Sequence, residues 1–298
     1  MNAIIFGAHG QDGYYLSRLL REQGVDIISV GRFDPTLTDK ADNYNIDISN
    51  SEQVIDLIKK SCPTYVFHLA ANSTTSHAAI FENHKTICTG SLNILEAVRL
   101  HSPNTKVFIS GSGLQFINNG NPIKETDEFE ARDAYSVSRI HSVYAARYFR
   151  SLGIQVYVGY FFNHDSPRRT ERHMAKKIAE AVKRIGQGSD EKIEIGDMDV
   201  VKEWTYAGDV VEGVWCLVNQ ANVFEVTIGS GLGHSIKDWL RICFNYIGKD
   251  LQEYVTVNNS FKADYKSLIA DPSTLFSLGW TPTVSIEKLA SMMLEDQK

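Results

Sequence analysis

Cysteine is scarce in this chain and badly spaced for cross-linking or metal binding. Cys62, Cys88, Cys216 and Cys243 include no Cys-x-x-Cys pair. That pattern excludes a disulfide scaffold or zinc ribbon, and free thiols in a reducing cytoplasm fit best. No apolar run reaches the roughly 18 residues of a membrane span, and no basic stretch, apolar core and cleavage site open the chain. A cytoplasmic protein without a membrane partner is expected. Surplus positive charge is missing too: 30 Lys and Arg against 36 Asp and Glu leave a formal charge of −6. This argues against broad nucleic-acid binding. Internal repeats and low-complexity segments are absent. His68 and His77 have no partner at metal-ligand spacing, so no metal site is expected.

What is present is an ordinary globular composition, 43% hydrophobic and 22% charged over 298 residues. A chain of this size buries roughly 75% of the surface exposed on unfolding, so a large core is available. Short apolar runs at 3–6, 26–30, 65–69, 106–110 and 155–160 read as buried strands. Amphipathic helices fall between them at 14–23, 51–60, 86–100 and 136–152. This alternation predicts an α/β fold, a doubly wound parallel sheet with helices on both faces. Beyond residue 160 the rhythm loosens into a basic helix at 171–186, a strand at 192–195, a helix at 209–219 and a strand at 224–228. Further helices follow at 235–247 and 285–295. The expected division is a dinucleotide-binding domain over 1–160 and a smaller C-terminal α/β substrate lobe over 161–298, interleaved with the last sheet strands.

The segment "IIFGAHGQDGYYLSRLL" runs strand, Gly7-x-x-Gly10-x-x-Gly13, then helix. Glycines at these points let backbone approach a pyrophosphate, and the helix N terminus offers free N–H groups and a favourable dipole. His9, inside the loop, either crowds or hydrogen-bonds that pyrophosphate. After the second strand, "ISVGRFDP" presents Arg32 before Asp34. An arginine there suits a 2′-phosphate, which points to NADP, with NAD possible. "NIDIS" places Asp47 at the end of the next short strand, within reach of an adenine amino group.

With "HLAANS", the Tyr135 helix, "FNHDSPRR" and "GDMDVVKEWTYAGDVVEGVW", the chain resembles extended short-chain dehydrogenases/reductases of the epimerase/dehydratase superfamily, which have the Rossmann-type sheet. Within them it most resembles the GDP-mannose 4,6-dehydratase family. The glycine loop is shared widely; "FNHDSPRR" is the specific element. The resemblance implies a GDP-sugar substrate oxidised at C4 by an NADP-type cofactor. By motif position it implies cofactor contacts at Gly7, Gly10, Gln11, Asp12, Gly13, Arg32, Asp47, Ile48, Leu69, Ala70 and Ala71. It further implies substrate contacts at Asn163 and Arg169, guanine recognition by Lys177, and Lys202 where an arginine usually faces the diphosphate. Similar proteins pair the 86–100 and 136–152 helices across a dimer interface, which implies a homodimer. Independently of resemblance, Arg168, Arg169, Arg172, Lys176, Lys177, Lys183 and Arg184 concentrate positive charge suited to a diphosphate.

"DAYSVSRIH" sets Tyr135 and Arg139 four apart on one helical face. In the superfamily a Ser/Thr, a Tyr and a Lys form the redox site. A tyrosine, with a free pKa of about 10, needs a neighbouring positive charge to exchange protons near neutrality. Ser112 and Tyr135 match that pattern, and Arg139 replaces the lysine; the resemblance implies that Tyr135 and Arg139 also contact the cofactor. An arginine keeps the charge but does not readily relay a proton. The family's elimination glutamate, two residues after the Ser/Thr, is Leu114 here, which has no proton to move. Three readings follow: redox or epimerising chemistry at or near C4; true 4,6-dehydration with an acid/base relocated to 125–133; or a silent protein that binds cofactor and nucleotide sugar. His164 reads as a structural loop histidine.

Overall fold

A computed structural model describes residues 1–31, 43–258, 260–261 and 263–295. A seven-stranded parallel sheet forms its centre. Strands β1 (Asn2–Phe6), β2 (Asp26–Val30), β3 (Asn43–Tyr44), β4 (Tyr65–His68), β5 (Lys106–Ser112) and β6 (Val156–Phe161) are joined by Glu225–Ile228. From that last strand the order is β6, β5, β4, β1, β2, β3. The runs "AIIF", "YVFH" and "VFIS" are mostly apolar and wholly buried, because strands covered on both faces have no solvent side. All four residues of β4 are buried.

The chain reverses its winding between β1 and β4, where Phe6 lies opposite His68. Loops leaving the C-terminal ends of two such strands diverge and leave a crevice. One sheet face is packed by α2 (Ser51–Ser61) and the Gly90–His101 and Ala134–Ser151 helices, through Val54, Ile58, Ile94, Val98, Val143 and Ala146. The other is packed by α1 (Gln11–Glu22) and Ala207–Val218, through Leu16, Leu20, Val210, Val214 and Leu217. A third core gathers Ile178, Val182, Trp239, Phe244, Leu289 and Met293. In it Trp204 and Trp239 stack with centroids 4.6 Å apart.

Several boundaries differ from the sequence expectation, each for a local reason. Helix α1 starts at Gln11, because Gly10 in extended conformation is its N-cap. The expected 86–100 helix is a π-helical stretch, His84–Thr89, running into Gly90–His101. Gly90 faces the Ile48 side chain so closely that an added Cβ would stand 3.0 Å from it. The basic helix begins at Met174 rather than residue 171, which leaves Arg168, Arg169 and Arg172 in the preceding loop. Among the described residues no helix is long and apolar enough to cross a membrane.

Candidate active site

The glycine loop closes against the end of β4. Gly7 adopts φ +92°, and a Cβ there would meet the Ala70 amide nitrogen at 2.7 Å. A Cβ on Gly13 would stand 2.3 Å from the Gly7 carbonyl oxygen. Only glycine permits these approaches. Gly10 provides no side-chain cap to α1, so first-turn N–H groups, which lack intrahelical acceptors, remain available to an anion. This cradle fits the pyrophosphate of a dinucleotide. Gly7, Gly10, Gln11, Asp12 and Gly13 border a cleft of ≈370 Å³ together with Leu69 and Ala71. Ala70 sits beneath Gly7 and closes the cradle from below.

The redox candidates enter the same cleft. Strand β5 runs two residues past its expected end, to Ser112, which pairs opposite Phe161. Ser112 Oγ accepts from the Leu114 amide at 3.2 Å, and its own amide donates to Gln115 Oε1 at 2.9 Å. Gln115 is therefore a buried cap, while half-buried Leu114 borders the cleft. Asp133 caps the Ala134–Ser151 helix, accepting from the amides of Tyr135 and Ser136 at 2.8 Å each. This aims Tyr135 and Arg139 inward. The Arg139 guanidinium stands 5.0 Å from the Tyr135 ring centroid, and its Nη1 donates to Ser110 Oγ at 2.8 Å and to the Ser110 carbonyl. His68 is buried nearby; burial, then the Arg139 charge, push its ring down to about 3.

Among the described residues, Asp12 is the one carboxylate bordering this cleft. The carboxylates of 125–133 are elsewhere. Glu125 accepts from Thr274, Asp127 from the Lys124 amide, Glu130 pairs with Arg132, and Asp133 caps the helix. Glu128 is exposed.

His164 is buried, as a structural histidine would be, but it lies in a two-residue strand, His164–Asp165, rather than in a loop. Its Nδ1 faces the Phe162 carbonyl at 2.7 Å and its Nε2 faces Asp12 Oδ1 at 2.9 Å. Burial pulls the His164 ring down, but Asp12 more than reverses this and raises it. Burial raises Asp12 in turn, but His164 and Arg169 outweigh it and hold the carboxyl at about 2. Ser166 Oγ donates to Gln11 Oε1 at 2.8 Å, a second tie between the same two loops.

Asn163 and Arg169 border the cleft, as do Arg168, Arg172 and His173. Arg169 pairs with Asp165 at 3.5 Å, and Arg168 lies 3.8 Å from the Tyr14 ring centroid. Burial first, then Arg169, push His173 down to about 4. Lys177 and Lys202 lie outside this cleft, in an adjoining cavity of ≈360 Å³. Arg172 and Tyr265 border both spaces. Lys202 is buried 4.4 Å from the Trp204 ring centroid, and burial lowers its pKa. Tyr265, which no sequence pattern marked, has its hydroxyl pushed up to about 12 by burial.

Other expected contacts do not converge here. Asp47 lies three residues beyond β3; it accepts from Ser49 and pairs with Lys85 at 3.0 Å. The Ile48 side chain is buried in the core. The His9 ring packs on Gly31. Arg32 lies outside the described residues.

A sequence profile described as GDP-mannose 4,6 dehydratase matches residues 4–293. GDP-mannose 4,6 dehydratase 2 of Arabidopsis thaliana is 31% identical, covering 99% of this chain and 86% of the relative. A GDP-mannose 4,6-dehydratase of Vibrio cholerae is 28% identical over 99% and 94%. Among solved structures, a UDP-glucose 4-epimerase of Thermotoga maritima with UDP-glucose superposes with TM-score 0.87 at 25% identity, covering 99% and 98%. A UDP-glucose 4-epimerase of Thermus thermophilus in complex with NAD superposes at 0.84 and 20% identity, covering 99% and 98%, and supports the fold.

Proposed function

The chain belongs to the GDP-mannose 4,6-dehydratase family, and from that premise we propose that it acts on a GDP-linked sugar by redox or epimerising chemistry at or near C4, without eliminating water across C5 and C6. One observation carries the reading. Ser112, Tyr135, Arg139 and Leu114 share a cleft with the glycine cradle, and Leu114 stands two residues after Ser112, where the resemblance implies the eliminating glutamate. A nicotinamide dinucleotide, when bound, supplies the hydride acceptor and donor. NADP is the proposed cofactor, with NAD the alternative, held by Gly7, Gly10, Gln11, Asp12, Gly13, Leu69, Ala70 and Ala71.

Tyr135 exchanges the proton of the sugar 4-hydroxyl, and Ser112 steadies the same oxygen. Arg139 keeps a positive charge over the Tyr135 ring, although a guanidinium does not readily relay a proton. Asn163 and Arg169 bind the sugar-phosphate portion. Lys177 and Lys202 extend binding toward guanine and the diphosphate through the adjoining cavity. Residues 1–160 then form the dinucleotide-binding unit and 161–298 the substrate lobe. Leu92, Leu100, Tyr144 and Tyr148 are exposed on the two helices proposed to form a homodimer interface. Light scattering on the purified protein tests that assembly.

The activity test is incubation with GDP-mannose, GDP-heptose or GDP-4-keto-6-deoxymannose, each with NAD(H) or NADP(H), followed by mass spectrometry and NMR. A product differing by two hydrogens, or an epimer of unchanged mass, is expected. Loss of water from GDP-mannose overturns the reading. Binding of both ligands with no product from any substrate favours a silent binding protein, which Leu114 and Arg139 together would explain.

A further inference from the structure

Asp12 places a carboxylate in the first turn of α1, where the glycine cradle is built for an anion. An uncompensated carboxylate there would repel the dinucleotide phosphates. Its partner comes from 152 residues away: His164 Nε2 lies 2.9 Å from Asp12 Oδ1, and His164 Nδ1 lies 2.7 Å from the Phe162 carbonyl. A carbonyl accepts, and so does a carboxylate ionised as Asp12 is above about 2, so each ring nitrogen then carries a hydrogen. A ring donating from both nitrogens is an imidazolium.

The surroundings agree with a fixed pair. Gln11 Nε2 donates to the same Asp12 oxygen at 3.1 Å, and Ser166 Oγ donates back to Gln11 Oε1 at 2.8 Å. Among the described residues, Arg169, itself paired with Asp165, acts on both members of the pair, and His173 feels the His164 charge. Side chains from α1 and from 164–166 thus interlock where the two loops border one cleft.

We propose that His164 stands as an imidazolium that cancels the Asp12 charge and fixes the cofactor loop to the nucleotide-sugar loop, making it a positioning residue for dinucleotide binding. This rests on the reading of the glycine loop as a cofactor cradle. His164→Asn takes away the cation hydrogen-bonded to Asp12, leaving Arg169 as its remaining positive neighbour, and weakens NADPH binding, on the order of 10- to 100-fold. Asp12→Asn combined with His164→Asn removes both charges. The double variant therefore binds NADPH more tightly than His164→Asn alone, by roughly 5-fold or more, and the two effects are non-additive.

Calorimetric titration of four proteins, the wild type, Asp12→Asn, His164→Asn and the double variant, with NADPH and NADH measures the cycle. Nitrogen NMR of histidine-labelled, ligand-free protein at about pH 7.5 reads the ring's protonation directly. Two N–H signals for His164, with partial rescue in the double variant, are expected. A neutral ring, or a double variant no better than His164→Asn, overturns the positioning role. If the variants do not fold, the wild-type NMR spectrum decides. A wild type that binds neither dinucleotide sinks the cradle reading and the positioning role with it. A neutral ring in a wild type that does bind sinks the positioning role alone.

Discussion

Replacing Tyr135 by phenylalanine isolates one oxygen and one proton. The ring is 9% exposed and lies under the Arg139 guanidinium at 5.0 Å; phenylalanine keeps that ring, so the stacking and the packing persist. Arg139 also stays anchored on Ser110 Oγ at 2.8 Å. Loss of the hydroxyl should therefore change stability by no more than about 1 kcal/mol. Turnover should respond quite differently. A positioned acid/base contributes about 10²- to 10⁴-fold, equivalent to roughly 2.7–5.4 kcal/mol of barrier at 1.36 per decade. The assay is single-turnover dinucleotide absorbance with the substrate identified in the product screen, beside calorimetric NADPH affinity and a thermal melt. Tyr135→Phe should lose at least about 100-fold in rate while NADPH affinity stays within about threefold. Retained turnover would rule out Tyr135 as the proton-exchanging group. An equal collapse of affinity and melting temperature would show the change was structural.

Leu114→Glu should create a water-loss product from GDP-mannose, raising its rate by about 10²-fold or more over the wild type; mass spectrometry reads it, and no increase would place the acid/base position elsewhere. Glu203 accepts from the amides of Ala270 and Ser230 at 2.6 Å each and of Gly231 at 3.2 Å. Glu203→Gln turns an amide group toward these donors and should cost about 1–3 kcal/mol for each left unpaired, seen as a melting temperature lower by several degrees; an unchanged melt refutes this. The Asp12–His164 pair also has a defined pH window. His164 is raised above 6.5, so its stabilisation is complete below about 6.5 and is lost as pH rises through its folded value. Asp12 is lowered to about 2, so its contribution is complete above 3.8 and is lost as pH falls toward 2. The melting difference between wild type and His164→Asn should peak between these limits and shrink in alkaline buffer, whereas a flat difference contradicts the pairing.

The sheet was legible because its strands carry short apolar runs and its helices carry periodic apolar faces, both local patterns. Element ends were less legible. Gly10 and Asp133 set helix starts through capping geometry, and the π-helical turn at His84–Thr89 lies against a neighbouring helix rather than following a residue preference. Asp47 shows how a boundary shifts: the strand ends at Tyr44, three residues before it, and Lys85 and Ser49 engage the carboxylate.

The sequence by itself determined the glycine spacing, the four-residue separation of Tyr135 and Arg139, and the leucine two residues after Ser112. Each lies within one loop or one helix, where backbone geometry fixes the neighbours. Only the tertiary structure decided that His164 meets Asp12, that Tyr265 joins the two cavities, and that the carboxylates of 125–133 remain outside the cleft. Those relations link residues far apart in the chain, and packing of the loops at the sheet's edge brings them together or keeps them apart.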